Sequence, residues 1–527
     1  MVVSAHPLAT KAGIQVLQHG GNAFDAAAAT ALALGVVEPG SSGIGGGGFF
    51  LLYIAKDKRY VMLDARETAP KLADHGEIYQ TQSSINGPQS AGVPGLLAGV
   101  DHLITKYGRI SREISTSPAI QLARDGFHIS PHLQAMIDWR KDVLNDAAQG
   151  IFLQHGDTPN KQYLLRQAAL ADTLARFSKY GSKDFYHGET AGRLIADMRR
   201  DGGLIQSSDL ANYQVIEREP VQFYFHGRHI VSAALPSSGG ITMAETLGIL
   251  QADDLATLSD ADRTHLIIEA MKRAYKDRNQ YLGDQDFVHI PDLLEEKRLK
   301  TLRRSIDMHK AAPSEEMADF IEPMGNSVDT THFSIIDHQG NMVSATLSIN
   351  YGMGSGYVSP STGILLNDEM DDFATQAGKP NAYGLVQGKA NAIAPGKRML
   401  SSMSPTFVMD KKRTFIVGTP GGSRIISMVL LASMAFINDQ KDAQQWVNAP
   451  RFHHQFLPDI VQYEAGAFSP KLISELQQRG HQLQEIRNYG NMQAILWNHQ
   501  SGSLIGMSDH RGEGSAVEIS INHQPKP

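Results

Sequence analysis

The 527-residue chain has 42% hydrophobic and 20% charged residues, ordinary values for a soluble protein with a substantial core. Its net charge of -7 argues against nucleic acid as the main partner, because phosphate binding needs concentrated Lys and Arg. The chain contains no cysteine, which excludes a thiol nucleophile, a disulfide framework and thiolate metal sites.

The N-terminal region predicts helices. Ala12 to Leu17 has helical periodicity that stops at Gly20-Gly21, and Asn22 with Asp25 three residues later resembles a helix N-cap. The apolar run from Ala26 to Val37 is shorter than the roughly 18 residues that span a bilayer, so it predicts a buried helix. Because no low-complexity spacer divides the chain, we expect one intertwined globule.

A glycine run follows the second predicted helix. Residues Gly43 to Gly48 read GIGGGG and formally satisfy G-x-G-x-x-G. A dinucleotide site needs a strand before this motif and a helix after it, and here the order is reversed. The run therefore predicts a tight turn where backbones approach closely. Tyr60 to Asp64 then predicts a strand, and Arg66 beyond it is either a surface ion-pair partner or an anion-binding group.

The most informative stretch begins at Asp329. After Ala311 the sequence has little periodicity and predicts an exposed loop up to Asp329. Period-two alternation then predicts strands over Thr331 to Ile336 and Met342 to Asn350, joined by a turn. If the Asp329-Thr330 bond were cut, Thr330 would carry both a hydroxyl and a free α-amine, a nucleophile with its own base attached.

One face of the second strand carries short neutral polar side chains. They are Ser344, Thr346, Ser348 and Asn350. Two interpretations stay open, a solvated face and the polar wall of a site, and the lack of Lys and Glu favours the wall.

A strand, a glycine turn and a helix follow further along the chain. Thr414 to Val417 predicts the strand, and Ile425 to Phe436 predicts the helix. The N-H groups of Gly421 and Gly422 would then face an anion, as an oxyanion hole or a phosphate site, unless the turn is only a connection. Pro236 to Gly240 repeats this pattern.

Three further clusters are ambiguous when taken alone. Ser401 and Ser402 belong to a run of hydroxyls, and Asn367 to Asp372 is a run rich in carboxylates; each is also typical of a turn or cap. No spacing of His or carboxylates matches a recognised metal motif, so no metal is expected. Adjacent His453 and His454 cannot both point into one site from a strand, which favours a structural role.

Taken together, the motifs closely resemble those of γ-glutamyltransferases, also called glutathione hydrolases. In chain order they read GGNAFDAAAA, GIGGGGF, LDARETAP, PSSGG, DTTHFSIID, GILLNDEMDDF, KRMLSSMSPT, PGGSR and NAPRFHH. The resemblance implies an α+β fold, the four-layer αββα sandwich of N-terminal nucleophile hydrolases. It also implies self-cleavage between Asp329 and Thr330 into a large subunit, residues 1-329, and a small subunit, residues 330-527, which stay associated as a heterodimer.

The resemblance also assigns roles to individual residues. Thr330 is similar to the catalytic threonine, Ser348 stands where the family has a second threonine that assists it, and Gly421 and Gly422 look like oxyanion-hole glycines. The remaining roles concern the substrate. Those that resemble α-carboxylate binders are Arg66, Ser401 and Ser402; those that resemble α-ammonium binders are Asn350, Glu369 and Asp372; Tyr383 matches a lid tyrosine in the stretch from Ala374 to Arg398.

The implied activity is acyl transfer from glutathione and related γ-glutamyl compounds to water or to amino acids and peptides, without a cofactor. Two alternatives remain: a related acylase of the glutaryl, cephalosporin or poly-γ-glutamate type, and an uncleaved paralogue that only binds. Bacterial members are usually exported, which implies a periplasmic or secreted protein. We expect no export signal in the sequence itself, because no charged and apolar leader precedes the first helix, so a cytoplasmic location is the alternative.

Overall fold

The computed structural model describes residues 1-314, 330-375, 380-438 and 442-519. The predicted loop up to Asp329 lies almost wholly outside the described residues, and so does part of the predicted lid. The helices of the described residues are α1 Pro7–Gln18, α2 Ala23–Val37, α3 Leu96–His102, α4 Arg112–Asp125, α5 Pro131–Arg140, α6 Asp146–Phe152, α7 Ala168–Tyr180, α8 Ser182–His187, α9 Glu189–Asp201, α10 Ser207–Asn212, α11 Gly239–Leu250, α12 Asp260–Tyr281, α13 Glu296–Arg304, α14 Ile425–Ile437, α15 Ala443–Asn448 and α16 Pro470–Gln478.

The strands share two large and two small sheets. They are β1 Val2–Ser4, β2 Gly47–Ile54, β3 Arg59–Ala65, β4 Phe127–His128, β5 Leu164–Leu165, β6 Ile216–Arg218, β7 Val221–Phe225, β8 Arg228–Ser232, β9 Thr330–Ile336, β10 Met342–Ser348, β11 Thr406–Met409, β12 Arg413–Gly418, β13 Phe452–His453, β14 Val461–Glu464, β15 Leu483–Ile486, β16 Gln493–Asn498, β17 Leu504–Ser508 and β18 Ser515–Val517.

The two large sheets stack face to face between layers of helices. One has the strand order β18-β1-β9-β10-β2-β3-β6 and the other β17-β16-β12-β11-β8-β7. Strands β9 and β10 of the first sheet contact β12 of the second. Helix α2 covers the outer face of the first sheet, and α11 and α14 cover the second. This α+β arrangement of four layers is the sandwich that the sequence predicted.

Alternation along the buried strands divides the core between the layers. In β2, Phe50 and Leu52 belong to the apolar core shared with α1 and α2. Phe49 and Leu51 belong to a second apolar core shared with the other sheet. A strand buried on both faces is apolar throughout, which explains the continuous run that follows the glycine turn.

Helix α2 is buried on every side, as predicted from its apolar run. Asn22 caps it by accepting from the N-H groups of Phe24 and Asp25, while the Asp25 carboxylate accepts from Asn22 N at 2.9 Å. Both halves of the predicted capping box are therefore present. None of the helices in the described ranges is long and apolar enough to cross a membrane.

The glycine run before β2 is a point of close backbone approach, as predicted. A Cβ placed on Gly45 would lie 2.0 Å from Leu365 O, and one on Gly46 would lie 2.2 Å from Ser348 O. Real Cβ atoms do not come this close to backbone, so these positions exclude any side chain. The turn fixes the position of Ser348 at the end of β10.

The polar face of β10 is neither solvated nor a continuous site wall, so both interpretations need correction. Ser344 Oγ donates to Val417 O at 3.1 Å, and Thr346 Oγ1 lies 2.8 Å from His332 Nδ1. Ser344 and Thr346 are fully buried between the two sheets. Ser344 bonds across the two sheets and Thr346 bonds to the neighbouring strand of its own sheet, whereas Ser348 and Asn350 line a pocket.

Candidate active site

One pocket brings the predicted site residues together. Thr330 lies at the wall of this pocket. Gly421 adjoins this pocket through Gly422, and Asp329 lies outside the described residues. The residues lining the pocket are Arg66, Arg278, Thr330, Ser348, Asn350, Glu369, Asp372, Tyr383, Leu385, Leu400, Ser401, Ser402, Met403, Gly422, Ser423 and Ile425.

Thr330 and Ser348 face each other across adjacent strands. Thr330 begins β9 and pairs in register with Ser348, the last residue of β10. Thr330 Oγ1 lies 3.2 Å from Ser348 Oγ, which accepts from Asn350 N at 2.8 Å. Because that backbone N-H occupies an acceptor site of Ser348, its own O-H is free to point at Thr330. The pair can orient the Thr330 hydroxyl for attack.

A glycine turn lies beside this pair. Strand β12 ends at Gly418, and α14 follows a short 3₁₀ turn over Gly422–Arg424. Gly421 has φ 138° and Gly422 has φ 57°, conformations that other residues rarely adopt. The N-H groups that begin such a helical segment have no acceptor within it, and its dipole favours negative charge. The turn can therefore stabilise an oxyanion next to Thr330.

Tyr383 connects the glycine turn to the end of β10. Its hydroxyl donates to Asn350 O at 3.1 Å, and a Cβ on Gly422 would lie 2.5 Å from its ring. Gln455 Nε2 also donates to Tyr383 O at 3.3 Å. Asn350 has φ 71°, so the chain turns away from the strand at this point. Tyr383 thus covers the pocket from the side of the predicted lid.

Arg66 is surrounded by acids. Arg66 Nη1 lies 2.5 Å from Glu369 Oε2, and Nη2 lies 2.5 Å from Asp372 Oδ2. Glu67 Oε2 is 3.4 Å from the same Nη1. The Arg66 side chain is only 1% exposed, so one buried guanidinium faces three carboxylates. Arg66, which resembles an α-carboxylate binder, therefore already pairs with Glu369 and Asp372, which resemble α-ammonium binders.

Burial shifts the protonation of this cluster. Burial raises the pKa of Glu67 to about 7, although the charge of Arg66 opposes that shift. Burial also raises the pKa of Glu369 well above its usual value. Within the described residues, Glu369 Oε1 has no hydrogen-bond partner, whereas Oε2 contacts Arg66. A buried acceptor of this kind calls for a donor, and a ligand ammonium would supply one.

The two serines lie at another part of the pocket wall. Ser401 and Ser402 are buried, and Ser401 O accepts from the backbone N-H of Ser238 at 2.8 Å. Ser402 Oγ accepts from Arg278 Nη2 at 3.0 Å. The Pro236 to Gly240 motif thus supports the serines from behind the pocket, and it is not a second anion turn facing Thr330.

Three polar residues at the site were not predicted from the sequence. Arg278 and Ser423 line the pocket, and Glu67 belongs to the acid cluster. Arg278 sits in α12 among Lys276, Asp277 and other polar residues, a composition typical of an exposed helix face. No pattern in the sequence distinguishes it. Glu67 could have been found, because it follows Arg66 directly within a motif already singled out.

His453 and His454 lie outside this pocket. His453 Nδ1 is 2.9 Å from Ser427 Oγ, whereas His454 Nε2 is 3.1 Å from Asp459 Oδ1. Both are buried and have separate partners, in agreement with the structural role expected of them.

Comparison with known proteins matches most of this chain to one family. The family model for gamma-glutamyltranspeptidase matches residues 9–519. The glutathione hydrolase proenzyme of Pseudomonas sp. (strain A14) is 42% identical over 513 residues, which cover 94% of this chain and 88% of that protein. The glutathione hydrolase proenzyme of Escherichia coli (strain K12) is 39% identical over 525 residues, covering 97% and 90%.

Two solved structures are similar to this fold. The cephalosporin acylase from Bacillus halodurans has a TM-score of 0.86 at 28% identity, covering 98% of this chain and 95% of that one. A chain of Helicobacter pylori gamma-glutamyltranspeptidase has a TM-score of 0.58 at 34% identity, covering 62% of this chain and 96% of that one.

Proposed function

We propose that this chain, a member of the gamma-glutamyltranspeptidase family, is a self-processing γ-glutamyl acyltransferase and hydrolase whose nucleophile is Thr330. The observation that carries this assignment is the position of Thr330. It begins a buried strand, faces Ser348 at 3.2 Å, and shares one pocket with Gly422 and the acids around Arg66. Nucleophile, oxyanion donors and charged substrate contacts are thus in one place.

The proposed reaction has two steps. The α-amine of mature Thr330, with an ordinary pKa of roughly 7.7 to 8.0, accepts the hydroxyl proton as Oγ1 attacks the γ-glutamyl carbonyl. The N-H groups of Gly421 and Gly422 stabilise the oxyanion, the C-N bond breaks, and the proton passes to the leaving amine. Water, or the amine of an amino acid or peptide, then attacks the threonyl ester and releases Thr330.

The same hydroxyl also accounts for maturation. Attack of Thr330 Oγ1 on the carbonyl of Asp329 converts the amide to an ester, and hydrolysis of that ester frees the Thr330 amine. Residues 1-329 become the large subunit and 330-527 the small one.

The sheet order supports a heterodimer that stays together. In the first sheet, β1 from before Thr330 lies between β18 and β9 from after it, and β2 pairs with β10. In the second sheet, β8 pairs with β11. Both sheets therefore take strands from both sides of the proposed cleavage site, and separation would break hydrogen bonds in each.

The charge pattern supports glutathione and related γ-glutamyl compounds as substrates. A γ-glutamyl head carries both an α-carboxylate and an α-ammonium. Glu369 offers one buried oxygen, Oε1, without a hydrogen-bond partner among the described residues, and Asp372 lies beside it on Arg66. A glutaryl head has no ammonium, so it would add a further negative charge to this cluster without compensation. The pocket therefore favours the zwitterion over the glutaryl acylase alternative.

Two anilide substrates test this proposal. We expect the purified protein to release the anilide of a γ-glutamyl substrate far faster than that of a glutaryl substrate. The Thr330→Ala variant should remain a single chain and release neither, whereas Thr331→Ser, altered at the adjacent position, should mature and turn over. A strong preference for the glutaryl substrate, or a cleaved and active Thr330→Ala protein, contradicts the proposal.

The remaining parts of the proposal concern processing and location. A single full-length band on a denaturing gel after prolonged incubation would support the alternative of an uncleaved binding protein. By family resemblance we place the enzyme in the periplasm or outside the cell. Fractionation of the natural host distinguishes this location from the cytoplasm.

A further inference from the structure

Arg278 is a buried cation at the pocket whose hydrogen-bond partners are neutral. Nε donates to Ser238 Oγ, Nη1 to Asn279 Oδ1 and Nη2 to Ser402 Oγ, each at 3.0 Å. Within the described ranges no carboxylate forms an ion pair with it. A guanidinium has five N-H donors, and these bonds use three of them. One N-H group on each Nη therefore remains available to donate a further hydrogen bond.

Burial and charge set Arg278 apart from Arg66. Arg278 is 1% exposed, and burial lowers its pKa to about 10, although Tyr275 and Asp372 oppose that shift. Arg66 already has acids 2.5 Å from both of its Nη atoms. The positive charge that lacks a close counter-ion at this pocket is therefore that of Arg278. A buried charge without a partner is unfavourable, and an anionic ligand group would relieve that cost.

Ser402 provides the connection from Arg278 to the ligand. Its hydroxyl oxygen accepts from Arg278 Nη2, so its own hydrogen remains available to donate. Both residues line the same pocket. Arg278 would then donate to the Ser402 hydroxyl, and Ser402 would donate to a ligand carboxylate. The charge of the guanidinium would strengthen the hydrogen bond from Ser402 to that carboxylate.

We propose that Arg278 is a positioning residue for the α-carboxylate of the substrate, acting through the hydroxyl of Ser402. This inference rests on the proposed γ-glutamyl activity and adds a second guanidinium to its specificity. Arg278 supplies a second positive charge at the pocket beside Arg66, and Ser402 connects Arg278 to the ligand by a hydrogen bond.

The test compares a γ-glutamyl anilide with a 4-aminobutyryl anilide, which keeps the amine and lacks the α-carboxylate. In Arg278→Gln we expect kcat/KM for the γ-glutamyl substrate to fall about tenfold to about hundredfold, mainly through KM, the size of a hydrogen bond to a charged group. The 4-aminobutyryl substrate should change little. Ser402→Ala should also lower the ratio of kcat/KM for the γ-glutamyl substrate to kcat/KM for the 4-aminobutyryl substrate. The double variant should lower this ratio by less than the product of the two single effects.

Arg273→Gln is the matched control. Arg273 lies on the same helix, but it donates to Glu269 Oε2 at 2.6 Å and does not line the pocket. Its variant should keep the wild-type ratio of the two substrates. Arg278→Lys keeps the charge and loses the planar fork, so its ratio should lie between those of wild type and Arg278→Gln.

The outcomes separate this inference from the proposed function. A wild-type protein that does not release the γ-glutamyl anilide overturns both. An active wild type with an unchanged substrate ratio in Arg278→Gln, or equal losses on both substrates, overturns the role of Arg278 alone. If neither Arg278 variant matures, the role is likewise overturned, because it assigns Arg278 to substrate recognition and not to folding.

Discussion

At the residue scale, the chemistry depends on how the hydroxyl of Thr330 is held. Its neighbour Ser348 Oγ accepts a hydrogen bond from Asn350 N and lies 3.2 Å from Thr330 Oγ1, where either hydroxyl can donate to the other. Serine lacks the methyl group of the threonine usual in the family and is less restricted at χ1. We therefore expect the Ser348 hydroxyl to serve the proposed role with looser positioning.

Removing the Ser348 hydroxyl should slow both maturation and turnover. One hydrogen bond of this kind contributes about 1 kcal/mol, so Ser348→Ala should lower both rates by roughly fivefold or more. Ser348→Thr should restore them. Rates of band conversion on a denaturing gel and of anilide release provide the measurement, and wild-type rates in Ser348→Ala would contradict the role.

Glu38 connects the nucleophile strand to the pH dependence of stability. It lies half-buried directly after α2 and accepts from Thr331 Oγ1 at 2.8 Å. Burial raises its pKa from 4.5 to about 7, although the Thr331 hydroxyl opposes that shift. The folded state therefore binds this proton more tightly than the unfolded state does. Its contribution to stability is present below about pH 4.5 and is lost as the pH rises to about 7.

Glu38→Gln removes this titration while keeping the shape. Between pH 5 and pH 8, wild type should lose stability relative to the variant by up to about 3 kcal/mol. The gap in thermal midpoint between the two proteins, followed across this range, provides the measurement. Parallel pH profiles would show that Glu38 does not titrate in this window.

At the scale of elements, the glycine turn before β2 and the end of β10 determine each other's positions. A Cβ on Gly46 would lie 2.2 Å from Ser348 O, whereas a Cβ on Gly43 would have no neighbour closer than 3.7 Å. The two glycines belong to the same run, so they form a matched pair. Substitution of Gly46 tests the contact with strand β10, whereas substitution of Gly43 tests the loss of a glycine without that contact.

Gly46→Ala should displace Ser348 and slow maturation, with a loss of about 1 to 3 kcal/mol in stability. Gly43→Ala should mature at close to the wild-type rate. Thermal midpoint and the rate of chain cleavage are the two measurements. Equal effects of both substitutions would mean that the backbone contact with Ser348 is not what the run protects.

The sequence predicted the elements that carry strong local patterns. The helix over Ala26 to Val37, the strands around Thr330 and the glycine turn at Gly421 each show periodicity or punctuation that depends on near neighbours. The family resemblance, and not a local pattern, predicted that these residues would share one pocket. The pairing of Arg66 with Glu369 and Asp372 depends on contacts between distant parts of the chain, which periodicity does not encode.

Two features could not be predicted for the same physical reason. Arg278 is buried where α12 contacts Ser402, whereas its neighbours in the sequence are typical of a solvated helix face. Ser344 and Thr346 are covered because a second sheet packs over them, and one strand alone gives no sign of that sheet. Local patterns predict elements, whereas tertiary contacts decide which polar faces are buried.

At the scale of the whole molecule, both sheets combine strands from the two sides of Thr330. Cleavage should therefore leave the fold intact. We expect the two fragments to elute together from a sizing column and to separate only in denaturant. Dissociation of the cleaved protein under native conditions would contradict the interlocked arrangement.

Mass spectrometry of the protein quenched during turnover of a γ-glutamyl substrate tests the central claim most directly. The proposed mechanism predicts a fragment whose N-terminus is Thr330, with part of it carrying a γ-glutamyl group as an acid-stable ester on that residue. A full-length chain that turns over substrate, a fragment that begins elsewhere, or an adduct on another residue would contradict it.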